Sequence, residues 1–251
     1  MKDKIVYYAP DSLAGGNVAY GCVAGILSLH STAPRLPGDP VNAQTFNFPV
    51  CHAVVEDVTI RDLIALDSKN MHKIISAAKQ LEGRGVRFIA TSCGLFAPFQ
   101  KVIGDQLSVP FLSSALQIVA CLKGFLPGGR KVCVFTAHSG LLSEGHLRES
   151  GFGLNDVVVK GMEDYPEFSR VVLEGGANLD PEKFRQDVRD AASDVKKAGK
   201  PIDVVVLECP NLITFRGDLQ RSLGVPVFDI VNLIEFFAAA YRLGNYSSAY
   251  L

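Results

Sequence analysis

No run of apolar residues in this 251-residue chain reaches the ~20 positions that a membrane-spanning helix requires. Charge of one sign is not in excess: 25 basic residues meet 26 acidic ones, a formal net charge of −1. A nucleic-acid binder normally carries a basic excess or stripe, so that class is set aside. The opening Met1-Lys2-Asp3-Lys4 has no apolar stretch before Asp11 long enough for a secretory signal. Six cysteines, at 22, 51, 93, 121, 133 and 209, are too sparse for a disulfide scaffold. They form no Cys-x-x-Cys pair, which leaves a zinc knuckle or thioredoxin motif without support. Gly-x-Gly-x-x-Gly, Gly-x-x-x-x-Gly-Lys and His-Glu-x-x-His are missing too, and no local signature singles out a lysine for a pyridoxal Schiff base. The expectation is a reducing, cytoplasmic protein with no cofactor, no metal, no nucleic-acid partner and no membrane contact.

What the chain does have is apolar mass, 48% of residues against 20% charged, enough to bury one large domain or two smaller lobes. Continuous apolar runs at Val23–Leu29, Val86–Ala90, Val132–Thr136, Val204–Leu207 and Val225–Phe228 read as buried strands. Helical spacing joins Met71, Ile74, Ile75, Ala78 and Leu81, with a stop at Gly83-Arg84-Gly85. Phe184, Val188, Ala191 and Val195 repeat the pattern behind an Asp180 N-cap and Pro181. Strands alternating with helices predict an α/β fold with parallel sheets. Ser31–Pro49, with prolines at 34, 37, 40 and 49, is too broken for either element and reads as a surface excursion or a substrate-covering lid. Lys4–Tyr8 is a candidate short strand.

A self-match locates the chemistry. Gly85–Ser114 lies over Pro201–Ile230 without a gap, pairing Cys93 with Cys209, Phe99 with Phe215, Leu107 with Leu223, Val109 with Val225 and Pro110 with Pro226. Upstream, Ile26–Ser31 lies over Val134–Ser139, pairing His30-Ser31 with His138-Ser139. Each half therefore runs from a strand ending in His-Ser to a strand ending in Cys, which predicts two related lobes. Ligands of open parallel sheets bind beyond the carboxyl ends of the strands, where helix N-termini present free N–H groups. Cys93 and Cys209 fall at such turns. The positive end of the following helix should favour their thiolates and lower their pKa. Cys22, Cys51, Cys121 and Cys133 read instead as small hydrophobes. His30 and His138 either assist the two thiols or are ordinary turn residues. Glu208, directly before Cys209, could serve the second lobe, although strand alternation would turn it away from its neighbour.

Thr91-Ser92-Cys93-Gly94 after an apolar strand, with Leu207-Glu208-Cys209-Pro210-Asn211 later, resembles the aspartate/glutamate racemase superfamily. That group comprises cofactor-independent amino-acid and hydantoin racemases, maleate isomerases and arylmalonate decarboxylases. The likeness runs from about Gly21 to Arg242, and Pro37-Gly38-Asp39, Phe46–Val50 and Val227–Val231 resemble a racemase-like subgroup in particular. It implies two Rossmann-like lobes related by a pseudo-two-fold with the site between them. Residues 1–113 plus 229–251 would form one lobe, and 114–228 the other. It implies proton transfer by Cys93 and Cys209 on a small carboxylate such as an amino acid or a hydantoin-type ring. Glutamate racemases carry Asp-Ser, Cys-Asn-Thr and Cys-Thr-His where this chain has His30-Ser31, Cys93-Gly94-Leu95 and Cys209-Pro210-Asn211.

Removing a proton beside a carboxylate creates an enediolate-like anion, which preorganised donors must stabilise. The N–H groups of Gly94, Leu95 and Asn211, with the side chains of Ser92, Ser113, Ser139 and Asn211, are the candidate substrate-binding groups. Arg35, Asn42, Thr45, Phe46 and Phe48 in the Pro-rich segment are candidates for selectivity. The expected function is racemisation by a two-cysteine mechanism. Cis–trans isomerisation or decarboxylation of a diacid, or ligand binding without catalysis, are the alternatives. A homo-oligomer is expected, dimers being commonest.

Overall fold

The computed structural model describes residues 20–66, 68–128 and 130–241, so the candidate strand at Lys4–Tyr8 lies outside the described residues. The chain is α/β and holds two four-stranded parallel sheets with the same internal order. The first sheet contains β1 (Ala24–Leu29), β2 (Val50–Val55), β3 (Phe88–Thr91) and β4 (Phe111–Leu112), ordered β2-β1-β3-β4. The second contains β5 (Lys131–Thr136), β6 (Val157–Gly161), β7 (Ile202–Leu207) and β8 (Val227–Phe228), ordered β6-β5-β7-β8. The helices are α1 (Ile60–Ile64), α2 (Met71–Gly83), α3 (Gln100–Gly104), α4 (Gln117–Lys123), α5 (Glu144–Arg148), α6 (Pro166–Phe168), α7 (Pro181–Lys197), α8 (Arg216–Leu223) and α9 (Ile230–Ala240).

The central strands are those the apolar runs predicted. β1, β3 and β5 are almost wholly buried, and so is the C-terminal part of β7. β2 and β6 were not predicted; they lie at sheet edges and are only partly buried, so neither shows the continuous apolar signal of a central strand. The self-match at offset 116 extends to secondary structure. The 3₁₀ turn Gly94–Phe99 maps onto Pro210–Phe215, the start of α3 onto that of α8, and β4 onto β8. Phe99 and Phe215 stand at the N-caps of α3 and α8, and both are buried.

Local signals behaved as their chemistry requires. Asp180 Oδ1 accepts from the N–H groups of Glu182 (3.1 Å) and Lys183 (3.2 Å), with Pro181 in the first helical position. The apolar face of α7 joins an aromatic column in which Phe184 lies 5.4 Å from Phe168 and 4.8 Å from Phe215, ring centre to ring centre. α9 returns to the first sheet. Phe237 lies 5.7 Å from Phe88, and the Tyr241 hydroxyl donates to the Arg87 carbonyl at 3.3 Å.

One reading of the sequence needs correction. Cys22 and Cys51 are not lone small hydrophobes but a disulfide, with Cα atoms 5.9 Å apart. β1 and β2 are parallel neighbours with Gly25 opposite Cys51, so the start of β1 runs alongside it. A bonded pair removes the ground on which a reducing compartment was expected. The Ser31–Pro49 segment contains no helix or strand, as expected, yet it is tied across both halves. Thr214 Oγ1 donates to the Pro37 carbonyl (2.8 Å), and Thr32 Oγ1 to the Gly175 carbonyl (2.9 Å). Gly38 adopts φ 105° against the Thr214 backbone, a place where a Cβ would be both strained and crowded. No helix among the described residues is long and apolar enough to cross a membrane.

Truncating the aromatic column should be costly. Phe184→Ala should lower the unfolding free energy by about 3–5 kcal/mol, read by urea denaturation. Phe125→Ala, at a side chain 78% exposed, should stay within about 0.5 kcal/mol of the parent.

Candidate active site

The carboxyl ends of β1, β3, β5 and β7 deliver His30, Cys93, Ala137 and Glu208-Cys209 to one cleft of about 470 Å³. Parallel strands end on the same side of their sheet, which is why residues distant in sequence converge here. The β3 turn is fixed by Thr91, whose buried hydroxyl donates to the Ser113 carbonyl at 2.7 Å. The sulfurs repeat a detail of local geometry. Each cysteine stands at the N-cap of a 3₁₀ turn, and the N–H two residues later, Leu95 for Cys93 and Asn211 for Cys209, favours its thiolate. Asn211 adds its side-chain amide at 3.5 Å from Cys209 Sγ.

Burial, not the turn, decides the resting state of both thiols. Desolvation raises the pKa of each, and the Glu208 carboxylate raises it further; the facing N–H groups and the Arg35 charge oppose this without prevailing. Cys93 is pushed well above the thiol range and Cys209 to about 12. The expected lowering is therefore corrected: a short 3₁₀ turn supplies too little field to offset the removal of water.

Glu208 also departs from the sequence reading. It faces the cleft together with Cys209, because the β7 ladder ends at Leu207 and alternation no longer applies beyond it. The residue is 5% exposed; its carboxylate accepts from Thr136 Oγ1 at 2.8 Å and from the Ala137 N–H, and its pKa is raised by burial to about 7. It reaches over the backbone of Gly94, where a Cβ would collide with the carboxyl group. Glycine at this position is what lets Glu208 lie between the two cysteine turns.

Three basic side chains line the same cleft: His30, Arg35 and Arg61. Arg35 comes from the Pro-rich segment and is oriented by buried Asp39 at 2.7 Å. Arg61 comes from α1, and its guanidinium has no hydrogen bond or ion pair among the described residues. α1 is bracketed by Asp57 (φ 53°) and Leu66 (φ 54°), the only non-glycine residues with positive φ among those described. Such backbone costs of order 1 kcal/mol at each position, and here it carries Ile60 and Arg61 to the cleft. Opposite, a π-helical turn after α6 (Ser169–Leu173) contributes Val172 and Leu173.

Of the predicted site residues, the structure brings Cys93, Cys209, His30, Ser92, Leu95 and Asn211 to the cleft. Gly94 lines a small void beneath it, together with Glu208 and Ser114. Ser113 is buried outside both spaces with its hydroxyl unpartnered. His138 and Ser139 do not line the cleft. His138 Nδ1 accepts from the Gly140 N–H at 3.0 Å, and the Ser139 N–H and hydroxyl both bind Glu163. Sequence reasoning did not assign Arg61; its position beside an exposed isoleucine on a five-residue helix gives no motif.

A family model described as Asp/Glu/Hydantoin racemase matches residues 42–234. The chain belongs to that family. Dimethylsulfoniopropionate lyase of Durusdinium sp. clade D is 27% identical over 227 residues, covering 86% of this chain and 74% of that protein. Dimethylsulfoniopropionate lyase 3 of Emiliania huxleyi is 28% identical over 228 residues, covering 86% of this chain and 59% of that protein. Against a further lyase of that alga the chain spans 43% of the relative's length. Among solved structures, unliganded arylmalonate decarboxylase is similar in fold at 16% identity, with a TM-score of 0.53 over 90% of this chain and 95% of that one. The similarity thus reaches lyases and a decarboxylase as well as racemases.

A raised carboxyl leaves a signature in stability. The folded protein holds the Glu208 proton up to about pH 7, whereas an ordinary glutamate releases its proton near 4.5. The folded state therefore binds more protons in that window, and this group makes stability fall as pH rises from 4.5 towards 7. Glu208→Gln should remove that slope. Its unfolding free energy relative to the parent should rise across the window, as read by urea denaturation at several pH values.

Proposed function

We propose that the chain removes a hydrogen α to the carboxylate of a small substrate with the Cys209 thiolate as base, and that β-elimination follows. The observation that carries this reading is the convergence of two thiols and an oriented arginine on one cleft. Cys209 is the better base of the two because Asn211 offers its sulfur both a backbone and a side-chain N–H, whereas Cys93 has only the Leu95 N–H. Arg35 and Arg61 would bind the substrate carboxylate and draw charge from the developing enediolate.

The nature of the other substrate end follows from what lines the cleft. Glu208 is the only carboxylate among the described lining residues, and its oxygens are held by Thr136 and Ala137. An α-ammonium would leave its N–H groups without a free acidic partner. A sulfonium carries no N–H, and its methyl groups suit the wall formed by Val58, Ile60, Ile64, Leu141, Val172 and Leu173. A substrate like dimethylsulfoniopropionate, named by the algal relatives, meets both conditions. The C2–H bond breaks as its proton passes to Cys209 sulfur, its electron pair forms the C2–C3 double bond, and dimethyl sulfide departs with the C3–S pair, leaving acrylate.

Racemisation is the second reading, favoured by the equivalent positions of Cys93 and Cys209 in the two halves. Both reactions begin with the same α-deprotonation and differ in whether carbon 3 bears a leaving group. Supplied with dimethylsulfoniopropionate, the protein should release dimethyl sulfide into the headspace. Cys209→Ser should reduce that rate by roughly 10²–10⁴-fold, and Cys93→Ser less. Absence of dimethyl sulfide, with inversion of an amino acid in deuterated water that stops in both serine variants, would instead establish the racemase reading.

A further inference from the structure

A thiolate base is required by the proposed reaction, yet both thiols rest in surroundings that oppose ionisation. The group that resolves this lies in the same cleft. Glu208 lies over Gly94 beside Cys93, sits next to Cys209 in the chain, and is held by donors from the end of β5 and the residue after it. We infer that Glu208 is the internal base that generates the thiolate, so that Cys93, Cys209 and Glu208 share two protons and one negative charge. This rests on the reading of the two cysteines as the reacting groups.

The transfer is balanced without any outside reagent. The S–H bond of one cysteine breaks and its electron pair stays on sulfur. The proton forms an O–H bond with the Glu208 carboxylate, and the single negative charge moves from oxygen to sulfur. Once Glu208 is neutral, its repulsion of both thiols disappears, so forming the first thiolate removes an obstacle to it. A second thiolate is then opposed by the first, since a charge on Cys209 raises the proton affinity of Cys93. The state that this transfer produces is one thiolate, one thiol and one protonated carboxyl, a base with a neutral acid across the cleft; at rest the charge stays on Glu208, because both thiols hold their protons more tightly than its carboxyl does.

The charged and titratable groups facing this trio are few. Arg35, from the Pro-rich segment, lowers both thiols. His30 follows β1 and Arg61 projects from α1 into the same space. The neighbours from β5 and the turn after it, Thr136 and Ala137, are uncharged donors. Ser114, from the segment after β4, and Gly94 complete the void without charge. Glu208 is therefore the only carboxylate in a position to take either thiol proton among the described residues lining the two spaces.

The test needs no substrate, so it is separable from the failure of the elimination reading. The intact protein is alkylated with iodoacetamide from pH 6 to pH 9, and modification of Cys93 and Cys209 is quantified by peptide mass, apart from exposed Cys121. In the parent, thiolate appears as the trio loses its first proton and then levels off. The more reactive of the two thiols should gain roughly tenfold across the range and flatten above pH ~7.5. In Glu208→Gln the thiol must ionise to solvent, so log rate should climb with unit slope, about a thousandfold over the same range. Glu208→Asp, which keeps a carboxylate, should restore the plateau. Flattening that persists in the glutamine variant, or a parent that climbs with unit slope throughout, would overturn the inference. A glutamine variant that does not fold leaves the parent and aspartate profiles to decide, since a parent without a plateau is already contradictory.

Discussion

Desolvation of three acids in one cleft is the constraint around which this molecule is arranged. Cys93, Cys209 and Glu208 lie at the ends of two parallel sheets where water is largely excluded, and burial is the first cause of the pKa rise in each. A buried charge costs several kcal/mol unless donors meet it. The surrounding turns supply them: the Leu95 and Asn211 N–H groups at the sulfurs, and Thr136 and Ala137 at the carboxylate. These donors have places for one negative charge wherever it resides, but not for three at once. On the proposed reading the site is preorganised for a proton to move rather than for a fixed ion pair.

The fold delivers this arrangement by repetition. Two sheets of the same order place a cysteine turn on each side, and the Pro-rich segment bridges the halves through Pro37–Thr214 and Thr32–Gly175. That bridge also fixes Arg35, because Asp39, which orients it, is itself tied down by the Val41 and Thr45 contacts. The repeat is broken where function needs asymmetry. The N-terminal half ends its strand in Thr91-Ser92-Cys93-Gly94, whereas the C-terminal half has Leu207-Glu208-Cys209-Pro210. The Glu208 carboxylate of one half fills a space that the absence of a Cβ at Gly94 of the other half leaves open.

Much of this was legible in the residues. The buried strands, the Asp180-Pro181 cap and the α2 stop at Gly83 rest on local physics that the tertiary fold did not overrule. The self-match located both cysteine turns because repeated backbone geometry leaves repeated spacing. Three features were hidden for identifiable reasons. The Cys22–Cys51 bond depends on two strands being neighbours, which spacing along the chain does not encode. Glu208 was read as pointing away because alternation was carried one residue past the end of the ladder. His138 shared its sequence context with His30, yet its ring is used to cap the turn at Gly140, while His30 stands at the cleft. Equivalent positions fix the backbone, and local hydrogen bonds then decide where a side chain goes.

The proposed chemistry rests on Cys93 and Cys209 lining a single cleft as unbonded thiols. Dibromobimane becomes fluorescent only when both of its arms have alkylated sulfur, so it reads that relation directly. In a Cys121→Ser background, which removes the exposed thiol, treatment should produce fluorescence and one cross-linked peptide pair joining Cys93 to Cys209. Separate single adducts on the two cysteines, without fluorescence, would contradict the account.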